Sequence, residues 1–209
     1  MAINNEYHLG IVLINPSVTA HPYDLESVMT QDFGDLTAVY VFENQDKYAL
    51  ISKEFCEMNN IRIDELHEAA LQQQRRNYVY KAESLDVIVQ DMMPEIIEPG
   101  DVMPYPVMVV SMDNDVHGAS VILQPEVLIA IEELLGGDYF ILPTSIHEVM
   151  VVPDLGIDCQ ERDLNEMVQD ANDLAVAPEE RLSDRVIRAS DFLRLIEPPE
   201  RKVDRGPQL

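Results

Sequence analysis

Between Lys81 and Arg162 the chain has no lysine or arginine, although sixteen aspartates and glutamates fall in that interval. A segment built this way cannot neutralise its own carboxylates, so its field reaches solvent, counterions or a basic partner. Over all 209 residues, 39 acidic side chains face 14 basic ones, a net charge of −25. That balance weighs against direct binding to nucleic acid phosphates or to anionic lipid. Cysteine is scarce as well. Cys56 and Cys159 stand far apart with no third partner, and a chain of this size needs no disulfide, so both read as reduced thiols. No run of about eighteen apolar residues occurs, and Met1 to Pro16 lacks a cationic region ahead of an apolar stretch. These absences predict a cytoplasmic protein with no membrane span. Glycine-rich phosphate loops and dinucleotide fingerprints are missing too, and neither cysteine has a close second ligand, so no cofactor and no metal is expected.

What is present is a 46% hydrophobic content, enough for an ordinary core. Leu9 to Ile14 reads as a short buried strand stopped by Asn15-Pro16, and Leu36 to Phe42, rich in β-branched and aromatic residues, as a stronger one. Asn44-Gln45-Asp46 supplies a turn and Tyr48 to Ser52 the returning strand. From Ile63 to about Gln74 the period changes, because Ile63, Leu66, Ala70 and Leu71 recur at helical spacing with Asp64 and Glu65 near the positive end of the dipole. Ser84 is placed to cap a second helix with a stripe of Leu85, Ile88, Val89, Met92 and Met93; a strand over Asp86 to Gln90 is the competing reading. Pro94, Pro99, Gly100, Pro104 and Pro106 then break the chain, and the connection between two lobes is placed there.

The second half reads on the same plan. Val107 to Met112 is a strand, Asp113-Asn114-Asp115 a turn, Ala119 to Leu123 the returning strand, and Pro125 to Leu135 a helix closed by Gly136-Gly137. Tyr139 to Leu142 and Ile146 to Val152 are two strands on either side of Pro143-Thr144-Ser145, or one strand bent there. Asp158 and Glu161 suit a capping box ahead of an amphipathic helix through Leu164, Val168 and Leu174, which Pro178 ends. Arg185 to Arg188 reads as a last edge strand. The fold class expected is α+β, with antiparallel hairpins, helices on one side and two associated lobes. Residues 1–93 form the first lobe, 94–106 the connection, 107–197 the second lobe and 198–209 a flexible, partly cationic tail.

The motifs that invite chemistry are incomplete. Asp113-Asn-Asp115-Val-His-Gly118 begins like a calcium loop, but His117 stands at its fifth position and Gln124 at its twelfth, where a bidentate glutamate is needed, so a turn explains it better. His147-Glu148 lies in an apolar run without a second histidine four residues on. Ser145 and His147 share a face if that strand is regular, which sketches a nucleophile and base, with Glu148 beside them; no nucleophile-elbow glycines accompany it. His67-Glu68 reads as a solvated helix face.

The run Tyr139-Phe-Ile-Leu-Pro-Thr-Ser-Ile-His-Glu-Val149 resembles the signature of a family of bacterial proteins of unknown function, often carried on mobile elements, to which YtpQ-like proteins are distantly similar. The resemblance extends from about Leu9 through Asp35–Tyr40 and Gly118–Leu123 to Leu182–Asp184. It implies a mobile-element or phage origin and transfers no catalytic role. The leading expectation is therefore a non-enzymatic acidic protein that engages a basic, nucleic-acid-binding partner. In its sharpest form it is an inhibitor that mimics nucleic acid and blocks a defence protein. Asp113, Asp115, Glu126, Glu132, Glu133 and Asp138 are the expected contacts. The alternative is a small hydrolase using Ser145, His147 and Glu148.

Overall fold

The computed structural model describes residues 7–17, 22–44, 47–92, 105–114 and 116–197. Two antiparallel sheets organise them. In the first, β3 (Leu36–Glu43) is central, flanked by β1 (His8–Ile14) on one edge and by β2 (Thr30–Phe33) and β4 (Tyr48–Leu50) on the other. Alternation along β1 and β3 sends Ile11, Leu13, Leu36, Ala38 and Tyr40 to one face and Val12, Ile14, Val39 and Val41 to the other. The register, with Ile11 opposite Tyr40 and Val12 opposite Val39, keeps each pair on its own face. Both faces are covered, the second by Tyr23, Leu25 and Val28.

The second sheet runs in the order β5 (Tyr80–Ser84), β6 (Met108–Met112), β8 (Glu148–Pro153), β7 (Tyr139–Leu142) and β9 (Ile187–Arg188). Its alternation is equally clean. Tyr139, Ile141, Val149 and Val151 join the core that the first sheet also enters, whereas Phe140, Leu142 and Val152 pack against Leu164 and Val168 of α5 (Gln160–Ala175). The shared core is filled from α2 (Ile63–Asn77), α4 (Pro125–Leu135) and α6 (Ala189–Ile196) by side chains such as Leu66, Leu71, Val127, Ile131 and Phe192. At about 1.5–3 kcal/mol for each fully buried large side chain, this cluster dominates stability.

The α+β class with antiparallel sheets holds, and several details differ from the sequence reading. Helices lie on both faces of the second sheet, because α5 covers one face while α4 and α6 cover the other. The two halves share one core cluster, and β5, which precedes the proline-rich stretch, is the edge strand of the second sheet. The change from one sheet to the other thus falls near Tyr78, ahead of 94–106. Most of that connection, 94–104, and all of 198–209 lie outside the described residues, as do Gln45 and Asp46 of the first turn and Asp115 of the second.

Ala119 to Leu123 is a 3-10 helix, Gly118–Leu123, and not a strand, with all its side chains buried. A short continuous apolar run has no period of its own, so tertiary packing decides its form. The partners of β6 are instead β5 and β8. Asp158 does not cap α5; Cys159, at φ 69, precedes the helix, and Gln160 folds back to accept from Leu155 N–H at 3.0 Å and to donate to the Pro153 carbonyl at 2.8 Å. Four elements had no sequence prediction: β2, β5, α1 (Lys53–Met58) and α6. The helix α3 (Leu85–Met92) follows β5 directly.

Gly118 shows how tightly the 3-10 helix is wedged. A Cβ there would stand 2.4 Å from the His147 carbonyl oxygen and 2.8 Å from the Met112 nitrogen, both backbone atoms that cannot swing aside. Gly118→Ala is expected to cost about 3 kcal/mol, read as a lowered midpoint in urea unfolding, with no such loss for alanine at Gly137, where a Cβ meets nothing.

Candidate functional site

The bend between β7 and β8 holds Ser145 and His147, but it does not join them as nucleophile and base. The Ser145 hydroxyl accepts the His147 backbone N–H at 3.1 Å. In the His147 ring, Nδ1 accepts the His117 N–H at 3.3 Å, which leaves the ring proton on Nε2, 3.4 Å from a Glu180 carboxylate oxygen. Both nitrogens are thus engaged away from Ser145. Glu148 is exposed at the start of β8.

What the bend does build is a polar seam between the sheets. The His147 ring stacks on His117, with centroids 5.9 Å apart and planes at 9°. His117 in turn meets the edge of Tyr48 and lies 4.0 Å from Glu43. Glu43 is buried at the end of β3 over Gly10, and it faces His8 at 3.4 Å. His8 Nε2 is 2.6 Å from the Tyr78 hydroxyl, whose pKa burial and Glu43 push up to about 12. A side chain at position 10 would displace the Glu43 carboxylate, so glycine there makes room for the seam. Among the described residues no group of three or more His, Cys, Asp or Glu is arranged to hold a metal ion.

Among the described residues, the acids expected to form a contact surface differ in their surroundings. Asp113 accepts the Val79 N–H at 3.0 Å, linking the ends of β5 and β6. Glu126 is paired with Arg75, while Glu132 and Glu133 stand exposed near the end of α4. Asp115 lies outside the described residues. Asp138 is structural. Its carboxylate accepts the Ser190 N–H at 3.2 Å and the Ser190 hydroxyl at 2.8 Å, capping α6, and it faces Arg188 at 3.4 Å. Burial pushes the Asp138 pKa up, but hydrogen bonds from Ser190, the Tyr139 and Ser190 backbone and Arg188 outweigh it and hold the carboxyl below its ordinary value. Arg188 also pairs with Asp154 and lies over the Phe140 ring, 4.6 Å from its centroid.

A cleft of about 590 Å3 opens where α2, β2, the start of α4 and the end of α6 meet. His67 lines it and is half-buried, not a freely solvated helix residue. Tyr40 donates its hydroxyl proton to Gln31 at 3.1 Å and so accepts from His67 Nδ1 at 2.9 Å, leaving His67 Nε2 with a lone pair. Phe33 packs beside the imidazole, 5.4 Å between centroids. Burial lowers the His67 pKa, Glu68 pulls it up and Arg75 pushes it down, and the net direction is downward from 6.5. Arg75 spans the cleft between Glu68, at 3.7 Å, and Glu126. The one advance signal for this wall was Gly34-Asp35 between Phe33 and Leu36, a two-residue hairpin turn whose Gly34 has φ +65.

These features define an antiparallel α+β protein with a polar seam, a half-buried histidine cleft and, among its described residues, no helix long and apolar enough to cross a membrane. The chain belongs to the family of unknown function DUF5688, whose model matches residues 8–188. No curated protein and no solved structure matches it.

Two measurements check this geometry. Asp138→Ala should lower stability by about 2 kcal/mol through loss of the α6 cap and the charged hydrogen bonds. Because the folded pKa lies below the ordinary 3.8, the wild-type contribution is present above that pH and disappears as pH falls through the folded value, so the two proteins should converge in acid unfolding curves. In an NMR titration the His67 ring should protonate below pH 6.5, and Tyr40→Phe should alter its ring nitrogen shifts.

Proposed function

We propose that this chain is a non-enzymatic interaction protein whose anionic surface engages a basic partner. The supporting observation is α5. Asp163, Glu166, Asp170 and Asp173 follow one another at i, i+3, i+7 and i+10, opposite the buried Leu164, Val168 and Asn172, along about 15 Å of helix. Arg162 pairs with Asp163 and Arg181 with Asp173, while Glu166 and Asp170 stand exposed between them. Leu174, 87% exposed in the last turn, stands beside this row, and Leu155 and Ile157 are exposed ahead of the helix. Apolar side chains beside uncompensated charge favour contact with a partner over simple solvation. In its sharpest form the protein is an inhibitor from a phage or mobile element: regularly spaced carboxylates on a rigid helix substitute for phosphates in the groove of a nucleic-acid-binding defence protein. A hydrolytic reading on Ser145 finds both nitrogens of the His147 ring engaged elsewhere.

The reading is tested by calorimetric titration of the full chain with a lysine- and arginine-rich peptide across rising salt. Affinity should fall steeply with salt, and the triple reversal Glu166→Lys, Asp170→Lys, Asp173→Lys should weaken it by at least about tenfold. Reversing Glu132 and Glu133 on α4 should do much less. Salt-independent binding, or equal losses from both sets, would remove the basis for the proposal.

A further inference from the structure

We infer that the cleft between α2, β2, α4 and α6 receives a lysine or arginine side chain of that basic partner, a step that rests on the reading above. Its volume, about 590 Å3, lies in the range of sites that enclose a ligand group. Its chemistry is asymmetric. Phe33, Leu71 and Leu195 supply apolar lining of the kind a methylene stem covers, whereas the polar groups are mainly carboxylates, with Arg75 and the Gln31 amide as the donors. Four carboxylates line it: Asp64 and Glu68 from α2, Glu126 from α4 and Glu197 just beyond α6. The guanidiniums that face them are Arg75 and, paired with Asp64 at the exposed edge, Arg62.

The His67 lone pair adds a neutral acceptor, since Tyr40 occupies the other ring nitrogen and burial disfavours the imidazolium. An anion would meet net like charge there, and an uncharged apolar group would add no donor for Glu197, the one lining carboxylate that neither Arg62 nor Arg75 faces. A cation on an apolar stem satisfies both halves of the lining. The cleft already shows how it holds such a group, because the Arg75 guanidinium is seated between carboxylates of two different helices. An incoming side chain would find as acceptors Glu197 and Glu68 Oε2, the oxygen that neither Arg75 nor Gln72 engages, with the His67 lone pair also in the lining.

The experiment uses the full chain and three probes: a short alanine-glycine peptide carrying one arginine, the same peptide carrying one lysine, and spermidine. Backbone amide and His67 ring shifts are followed by NMR. A peptide shift pattern centred on Gln31, His67, Leu71 and Leu195, together with an affinity loss of about tenfold in Glu68→Gln/Glu197→Gln and a much smaller change in the triple α5 reversal, supports the inference. Both glutamines are isosteric, and unchanged methyl shifts of the shared core confirm that the variant is folded. Peptide shifts that map to α5, or unaltered affinity in the glutamine variant, overturn it while leaving the broader interaction reading intact. Shifts produced by spermidine and not by either peptide also overturn it, since the occupant would then be a free amine. If the lysine- and arginine-rich peptide ignores α5 reversal while the single-cation peptide still requires Glu68 and Glu197, the α5 surface fails and the cleft assignment survives.

Discussion

The inner strands of both sheets are buried on both faces, and this constraint shapes the rest of the molecule. A half-solvated antiparallel sheet shows alternating polar and apolar residues, but β1, β3, β7 and β8 are nearly continuous apolar runs because each side chain has a covered face to enter. One face of each sheet contributes to the same core, so α2, α4, α6 and the 3-10 helix share the space around that core. Gln74 of α2 donates to Ser120 at 2.9 Å, and Ser120 donates to the His117 carbonyl, so the buried polar groups bind the halves together where no water reaches. The polar seam through Glu43, His117 and His147 is a consequence of the same arrangement, lying where the ends of the two sheets approach.

The charge imbalance of the chain is resolved unevenly by the fold. Several C-terminal cations are spent on nearby acids: Arg181 on Asp173, Arg188 on Asp138 and Asp154, Arg194 on Asp191. Arg75 serves Glu68 and Glu126. Because α4 and α5 pack on opposite faces of the second sheet, their carboxylates cannot merge into one platform. Glu166 and Asp170 stand exposed along the solvent face of α5, while around the cleft Arg62 and Arg75 pair with three of the four carboxylates. Exposed pairs contribute little to stability, about 0–1 kcal/mol each, so their arrangement bears more on association than on folding.

Legibility of the fold followed the length and punctuation of each element. β3 and α4 were plain, the first through eight residues of β-forming type, the second through Pro125 at its start and Gly136, at φ 79, at its end. β2 is four residues with Thr30 and Gln31 partly exposed, and α1 spans six, too short for a periodic signal to emerge; α6, eight residues like α3, carries an amphipathic pattern that went unread. The cleft suffered most from this. Gln31 and Phe33 come from β2, Leu195 and Ile196 from α6, so two of its walls belong to elements that had no sequence prediction. His67 looked solvated because its helical neighbours are charged; the side chain that shelters it, Tyr40, is 27 positions away.

The amino-acid order alone determined the antiparallel α+β character, the principal strands and helices, and the excess of negative charge, because these depend on residue type and on contacts within a few positions. Tertiary packing decided that Ala119 to Leu123 coils instead of extending, that Asp138 anchors a helix over fifty positions away, and that His67, Arg75 and four carboxylates border a common cleft. Local propensity is worth a few tenths of a kcal/mol per residue, whereas burying a large apolar side chain contributes several times more, so wherever the two disagree the distant contacts prevail.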